Sequence, residues 1–235
     1  MQKSTASARS VATARPRSGL RRVARPGAGR PTRDQARERH EQLLASALDQ
    51  FLDRGFERAT IEAIAASVGM TKRTVYARYP DKSALFLATV RRAIEQLQVP
   101  EEKLRALDGA DLESALLGLA RLRVENVMTP TGLKLQRIIN TESYRFPQIF
   151  TMSYEQGARP TVEFLAARLR RETAAGTLAI TDPLLAANVF MSMVVGGPVR
   201  FIVSGQPLAP AAAEARMRFA VRLFLDGARA RPGAP

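Results

Sequence analysis

The chain has 235 residues, 46% of them apolar, enough for a sizeable core in one large or two small domains; this excludes a wholly disordered protein. It has no cysteine and one histidine, His40, which excludes a disulfide framework, a zinc–thiolate or multi-histidine metal site and thiol catalysis. The net charge of +14 points to a polyanionic partner and is unevenly placed: residues 1–33 hold nine Lys and Arg and no acid, leaving 27 basic against 22 acidic residues elsewhere.

Residues 1–31 read as a basic, disordered arm that ends in the helix-poor run Pro26-Gly27-Ala28-Gly29-Arg30-Pro31. Its Arg, Ser and Ala content resembles a transit peptide, but no apolar core segment follows as a secretory signal would need, and a cytoplasmic protein is expected. Arg30, between glycine and proline just ahead of the first helix, suits either an A·T minor groove or a purely non-specific charge role.

Order is expected from Thr32, where Thr32-x-x-Gln35 forms a capping box. Leu44, Ala47, Leu48, Phe51 and Leu52 then share one helical face, Gly55 supplies a left-handed cap and Phe56 folds back on the last turn. Thr60 caps a short helix carrying Ile61, Ile64, Ala65 and Val68, and Gly69 breaks it. Thr71 caps a third helix that ends before Pro80. Asp81 caps a fourth, running to about Leu97. Pro100 and Asp108-Gly109 mark a linker, so the first domain is read as 32–98 and the second as 110–230.

In the second domain, helices are expected at 111–128, 132–143, 147–175 with a bend at Pro160, a segment started by Asp182-Pro183, and 211–228. Residues 184–203 are almost continuously apolar and, at about 20 residues, long enough to span a bilayer. Asn188, Ser192 and Arg200 interrupt the run, and Gly196-Gly197-Pro198 should break the helix, so a buried or interface helix is expected and no membrane partner. No strand alternation and no internal repeat appears. The fold class is all-α, about nine helices.

The informative block is Thr60 to Phe86. Two short helices meet at a tight turn, Val68-Gly69-Met70, with the small Ala65 where they cross, which is helix-turn-helix logic. The second helix offers Lys72, Arg73 and Thr74 near its start with no acid of its own; such side chains suit guanine edges and thymine methyls. Tyr76 and Tyr79 are placed either to bond phosphates or to pack on the first helix. Lys82 sits in the first turn of the next helix, unfavourably for that helix dipole, and a DNA phosphate would compensate.

Phe51, Gly55-Phe56, Thr60, Ile61, Ile64-Ala65, Val68-Gly69, Thr74-x-Tyr76, Tyr79 and Lys82-x-x-Leu85-Phe86, in that order across residues 35–97, resemble the TetR/AcrR DNA-binding domain. Thr71 stands where that family commonly has Ser, and Tyr79 where it often has Phe. Ser143-Tyr144-Arg145-Phe146-Pro147, Gly176-x-Leu178 and Asp182-Pro183 are similar to the AefR-like subset of its C-terminal domains. The resemblance implies a homodimeric, double-stranded-DNA-binding transcriptional regulator, usually a repressor released from its operator by a small-molecule effector. It places Thr60, Thr71, Lys72, Arg73 and Thr74 at or near the groove, with Tyr76, Tyr79 and Lys82 on the backbone. It also implies an interface built by the last two helices, for which Leu185, Val189, Phe190, Val194, Phe219 and Leu223 are candidates.

Met128, Phe146, Phe150, Met152, Tyr154, Phe164, Phe190 and Met193 are candidates to line an apolar effector cavity, though residues of these types at helical spacing also make ordinary core. His40 is expected on the surface. No acid–base or phosphate-loop constellation is present, so no catalytic residue, cofactor or metal is expected and an enzyme is the weakest reading. A sequence-tolerant architectural DNA-binding protein driven by the basic arm is the alternative.

Overall fold

The computed structural model describes residues 32–203, 205 and 209–230, and the basic arm with Arg30 lies outside the described residues. All regular structure described is helical: α1 (Arg33–Arg58), α2 (Ile61–Ser67), α3 (Lys72–Tyr76), α4 (Lys82–Gln96), α5 (Glu101–Asp108), α6 (Leu112–Met128), α7 (Pro130–Glu142), α8 (Gln148–Met152), a π-helical turn (Ser153–Ala158), α9 (Arg159–Ala174), α10 (Pro183–Val203) and α11 (Pro210–Ala228). An isolated antiparallel bridge joins Leu178 to Arg229.

Local chemistry sets most of the helix ends. The Thr32 hydroxyl accepts from the Gln35 backbone N–H at 3.3 Å while the Gln35 side chain accepts from the Thr32 N–H at 3.0 Å, closing the capping box. Gly55 takes φ 76°, and the chain beyond it turns so that Phe56 stacks on Phe51 at 5.8 Å. Asp81 caps α4 by accepting from the Ala84 N–H at 2.7 Å. Asp182 accepts from the N–H groups of Leu184 and Leu185 at the start of α10.

Two apolar cores result, and the first does not stop at the expected domain boundary. It joins Leu44, Phe51, Phe56, Ile64 and Phe86 of the first four helices to Leu135 and Ile138 of α7, and to Phe146 and Ile149. At its centre Phe51, Phe56, Phe86 and Phe146 form a cluster with ring centroids 4.9–5.3 Å apart between successive partners. Arg145 lays its guanidinium 4.5 Å over the Phe56 ring and pairs with Glu57. The second core gathers α6, α9, α10 and α11, with Leu104 of α5.

Three expectations are corrected. The stretch 101–108, read as linker, is the helix α5: Glu101 and Glu102 sit at its positive end and Leu104 is buried. The stretch 147–175 is divided by the π-helical turn just ahead of Pro160, because proline has no N–H for the Gln156 carbonyl and its ring crowds it. Gln98 Nε2 donates to that carbonyl at 3.0 Å instead. Finally, α10 continues through Gly196, Gly197 and Pro198. At Gly197 the Arg216 guanidinium of α11 lies close over the backbone, in the space a β-carbon would occupy. Among the described residues no helix is long and apolar enough to cross a membrane.

Phe146 is the only residue of the aromatic cluster from beyond α4, and it is buried. Phe146→Ala is expected to lower unfolding stability by about 3–5 kcal/mol, as for other buried Phe-to-Ala changes. Chemical denaturation of the variant reads this directly, and a loss of under 1 kcal/mol would show that the cluster closes without it.

Candidate nucleic-acid interface

The surface around α3 is built by two hydroxyl caps and one glycine. Thr60 accepts from the Ala63 N–H at 3.2 Å to start α2, and Gly69, at φ 66°, turns the chain. Thr71 accepts from the Thr74 N–H at 3.1 Å to start α3, and the two hydroxyls lie 2.9 Å apart. Val75 is buried against the first core, so the opposite side of this short helix faces out. Lys72, Arg73 and Thr74 are all exposed there, as is Arg78 just past the helix end. A cluster of cations on the outer face of a short helix, with side chains of both fork and hydroxyl type, is suited to base edges and phosphates.

The cations of this surface are not equivalent. Lys72 pairs with Glu62 of α2 and lies 5.5 Å from the centroid of the Tyr76 ring. The hydrogen bond from Lys72 draws the Glu62 carboxyl below its ordinary range and raises the lysine. Arg73 has no ion pair among the described residues. Lys82 donates to the backbone carbonyls of Glu57 and Ala59 at 3.0 and 3.2 Å and lies 4.5 Å over the Phe56 ring. Its charge is therefore compensated by carbonyls at the end of α1, where a cation is favourable, and no phosphate is needed to explain it.

The two tyrosines separate as well. Tyr76 is 41% exposed and available to a ligand. Tyr79 is half-buried, stacks near the His40 ring at a centroid distance of 6.1 Å, and its hydroxyl lies 2.5 Å from His40 Nε2. His40 is thus an anchor between α1 and the end of α3 rather than a free surface group. Burial, then the nearby Arg78, lowers the His40 pKa, with Arg92 acting in the same direction and Glu41 opposing. Sequence reasoning overlooked Glu62, Arg78 and this anchor: each lies on a neighbouring turn or distant helix whose approach is a tertiary fact.

The eight candidates for an effector cavity are not gathered around one. Phe146 and Phe190 are buried in different cores, Phe150 is 65% exposed and Met128 lies at the exposed end of α6. Met152 packs on the first core and Phe164 on the second. Tyr154 donates to Asn188 Oδ1 at 3.3 Å. Met193 lines a shallow apolar surface with Phe219 and Leu223. A cavity of about 180 Å³ does lie between the end of α4, α6, α7 and the π-helical turn, lined by Leu97, Arg123, Val127, Leu135 and Gly157 among others. Of the interface candidates, Leu185, Val189, Phe219 and Leu223 are exposed, whereas Phe190 and Val194 are buried in the second core, where Phe190 packs 5.1 Å from the Phe224 ring.

Comparison with known proteins agrees with this geometry. A family model for bacterial regulatory proteins of the tetR family matches residues 43–89, and one for the AefR-like transcriptional repressor C-terminal domain matches 114–227. An uncharacterised HTH-type transcriptional regulator of Mycobacterium tuberculosis is 42% identical over 62 residues, 26% of this chain and 31% of that protein. The HTH-type transcriptional activator FasR of Mycolicibacterium smegmatis is 37% identical over 60 residues, 26% of this chain and 27% of FasR. The match therefore spans under a third of the length of these curated relatives. Among solved structures, the flavonoid-responsive regulator FrrA is 33% identical with a TM-score of 0.65, covering 83% of this chain and 99% of FrrA. A TetR-family regulator from Mesorhizobium loti is 26% identical with a TM-score of 0.72, covering 85% and 100%.

The His40 anchor sets a pH dependence. Its folded-state pKa lies below the ordinary 6.5, so as pH falls the unfolded chain takes up the proton first. The anchor's contribution is fully present above 6.5 and is lost as pH falls from 6.5 toward the lowered folded value. Denaturation midpoints across that window should fall with acid in the wild type and change less in His40→Gln; parallel curves for the two proteins would remove His40 as the titrating group.

Proposed function

Because the chain belongs to the TetR family of DNA-binding transcriptional regulators, we propose that it is a homodimeric repressor whose paired α3 helices read an operator and whose C-terminal half takes a small effector that releases it. The observation that carries this reading is the position of α4. It follows α3 after a short turn, its middle supplies Phe86 and Val90 to the core that also buries Val75 of α3, and its far end reaches the cavity beside α6. Asn126 of α6 donates to the Leu97 carbonyl at 3.1 Å, and Gln98 reaches the π-helical turn, so the end of α4 is held by the elements that line the cavity.

The mechanism follows from lengths. An α3 of five residues touches few bases, so two copies reading two half-sites are required for a useful affinity. DNA sets the separation of the half-sites at about 34–36 Å. An effector that spreads the cavity and shifts α4 carries α1 to α3 with it through the shared aromatic core, and the two readers no longer fit one turn of duplex. The linkage is reciprocal: operator must weaken effector binding by the factor with which effector weakens operator binding.

The dimer surface is the exposed stripe of Leu185 and Val189 on α10 and Phe219 and Leu223 on α11, with Met193 between the two helices. Large apolar side chains left exposed in this way are the mark of an interaction surface. Phe219→Asp and Val189→Asp should yield folded monomers, because both side chains are exposed within the subunit. Sedimentation velocity reporting dimers for both variants would place the interface elsewhere.

Arg73, unpaired and outward, is assigned to base reading. Against an operator selected by the wild-type protein from random duplexes, Arg73→Ala should cost about 1–3 kcal/mol and relax base preference. A constant ratio of selected to random DNA affinity in wild type and variant would favour a sequence-tolerant binder instead.

A further inference from the structure

Three buried side-chain polar atoms have no hydrogen-bond partner among the described residues: Gln50 Oε1, Ser143 Oγ and Arg123 Nε. Only the last belongs to a charged group. Arg123 lies on α6 and lines a cavity shared with α4, α7, the π-helical turn and α10. Its Nη1 donates to the Gly157 carbonyl of the π-helical turn at 3.4 Å, a long contact. Neither Nε nor Nη2 donates to any described group, and no Asp or Glu pairs with it among the described residues. The acids of the adjacent turn are engaged elsewhere, since Glu155 and Glu163 both bind Arg159. Burial, with no opposing carboxylate, pushes the Arg123 pKa down.

A withdrawn guanidinium without a counter-charge is costly and is normally found paired. Arg121, on the same helix, shows the ordinary solution: it forks onto Glu214 of α11. Arg123 differs in lining a cavity. The other walls mix apolar side chains, from Ile94 and Leu97 at the end of α4, Val127 of α6 and Leu135 of α7, with the polar Asn126, Gln136 and Ser153. The element that meets Arg123 is the π-helical turn, an irregularity that recurs at ligand sites.

We propose that this cavity is the effector site and that its ligand is a small aromatic carboxylic acid, the carboxylate paired with the Arg123 guanidinium and the ring against the apolar walls of α4 and α7. The planar fork grips a carboxylate through two parallel N–H donors, and Nε and Nη2 form one edge of that fork. Size limits the ligand to one ring. A dry cavity of about 150 Å³ accepts benzene, and this one is about 180 Å³. The assignment rests on the effector reading above and makes it more specific: the ligand carries a charged end besides its apolar ring. It also says how the ligand acts, because Ile94 and Leu97 belong to the end of α4.

The test uses the full-length protein, with benzoate as probe and benzamide as its neutral isostere, by calorimetry at neutral pH. Benzoate is expected to bind and benzamide to bind about tenfold more weakly or worse, the loss of one charge-assisted hydrogen-bonded pair. Arg123→Met should bring benzoate down to the level of benzamide. Equal affinity of the two compounds for the wild type, no heat with either, or unchanged benzoate affinity in Arg123→Met would each overturn the proposal. The wild-type comparison stands if the variant does not fold. Operator binding is followed in parallel by fluorescence anisotropy. Benzoate bound through Arg123 without release of DNA would uphold the site while overturning the switch; release of DNA by neutral ligands in a protein indifferent to benzoate would do the reverse.

Discussion

The structure depends on one packing event, the insertion of Phe146 between Phe56 and Phe86. Those two rings, with Phe51, are brought together by the turn at Gly55 and by α4 crossing α1. Phe146 completes the group from outside the first four helices, and Arg145 beside it covers Phe56 and pairs with Glu57. Aromatic pairs of this kind add about 0.5–1.5 kcal/mol each beyond the area they bury. The consequence is mechanical: the DNA-reading helices and the segment after α7 share a core, so neither moves without the other.

That shared core determines what α4 is able to do. Its first turn is tied to α1, because Lys82 bonds the carbonyls of Glu57 and Ala59. Its last turn is tied to α6 and the π-helical turn through Asn126 and Gln98. A displacement at the cavity end would therefore be transmitted along the helix rather than absorbed in a flexible joint, as expected of close-packed interiors. The helix α5, where a loose linker was expected, makes the connection between the halves stiffer still.

The same packing sorts the cations. Arg73 and Arg78 remain outward, whereas Lys72 is shared with Glu62 and Lys82 with the end of α1. A count of basic residues on a helix therefore overstates what is available to a phosphate. The opposite case is Arg123, which has no carboxylate among the described residues where its neighbour Arg121 has Glu214.

The local features were legible in the chain itself. Thr32 with Gln35, Thr60, Thr71, Asp81 and Asp182 announce helix starts because each side chain bonds a backbone N–H two or three residues on. Gly55 and Gly69 announce turns because both take a positive φ that other residues resist. These interactions span a few residues, so spacing alone reveals them, and the helix-turn-helix with its outward Lys72, Arg73 and Thr74 follows. Partners far apart in sequence were decided only by the tertiary structure. His40 meets Tyr79 across 39 residues and Arg145 meets Glu57 across 88. Phe190 turns inward while Leu185 and Val189, on the same apolar run, stay exposed, because an all-round apolar helix gives no stripe from which to read its buried face. The cavity beside Arg123 was invisible for the same reason: whether a Met, Phe or Arg lines space or fills it depends on how closely the next helix approaches, and that distance is not written in any one segment.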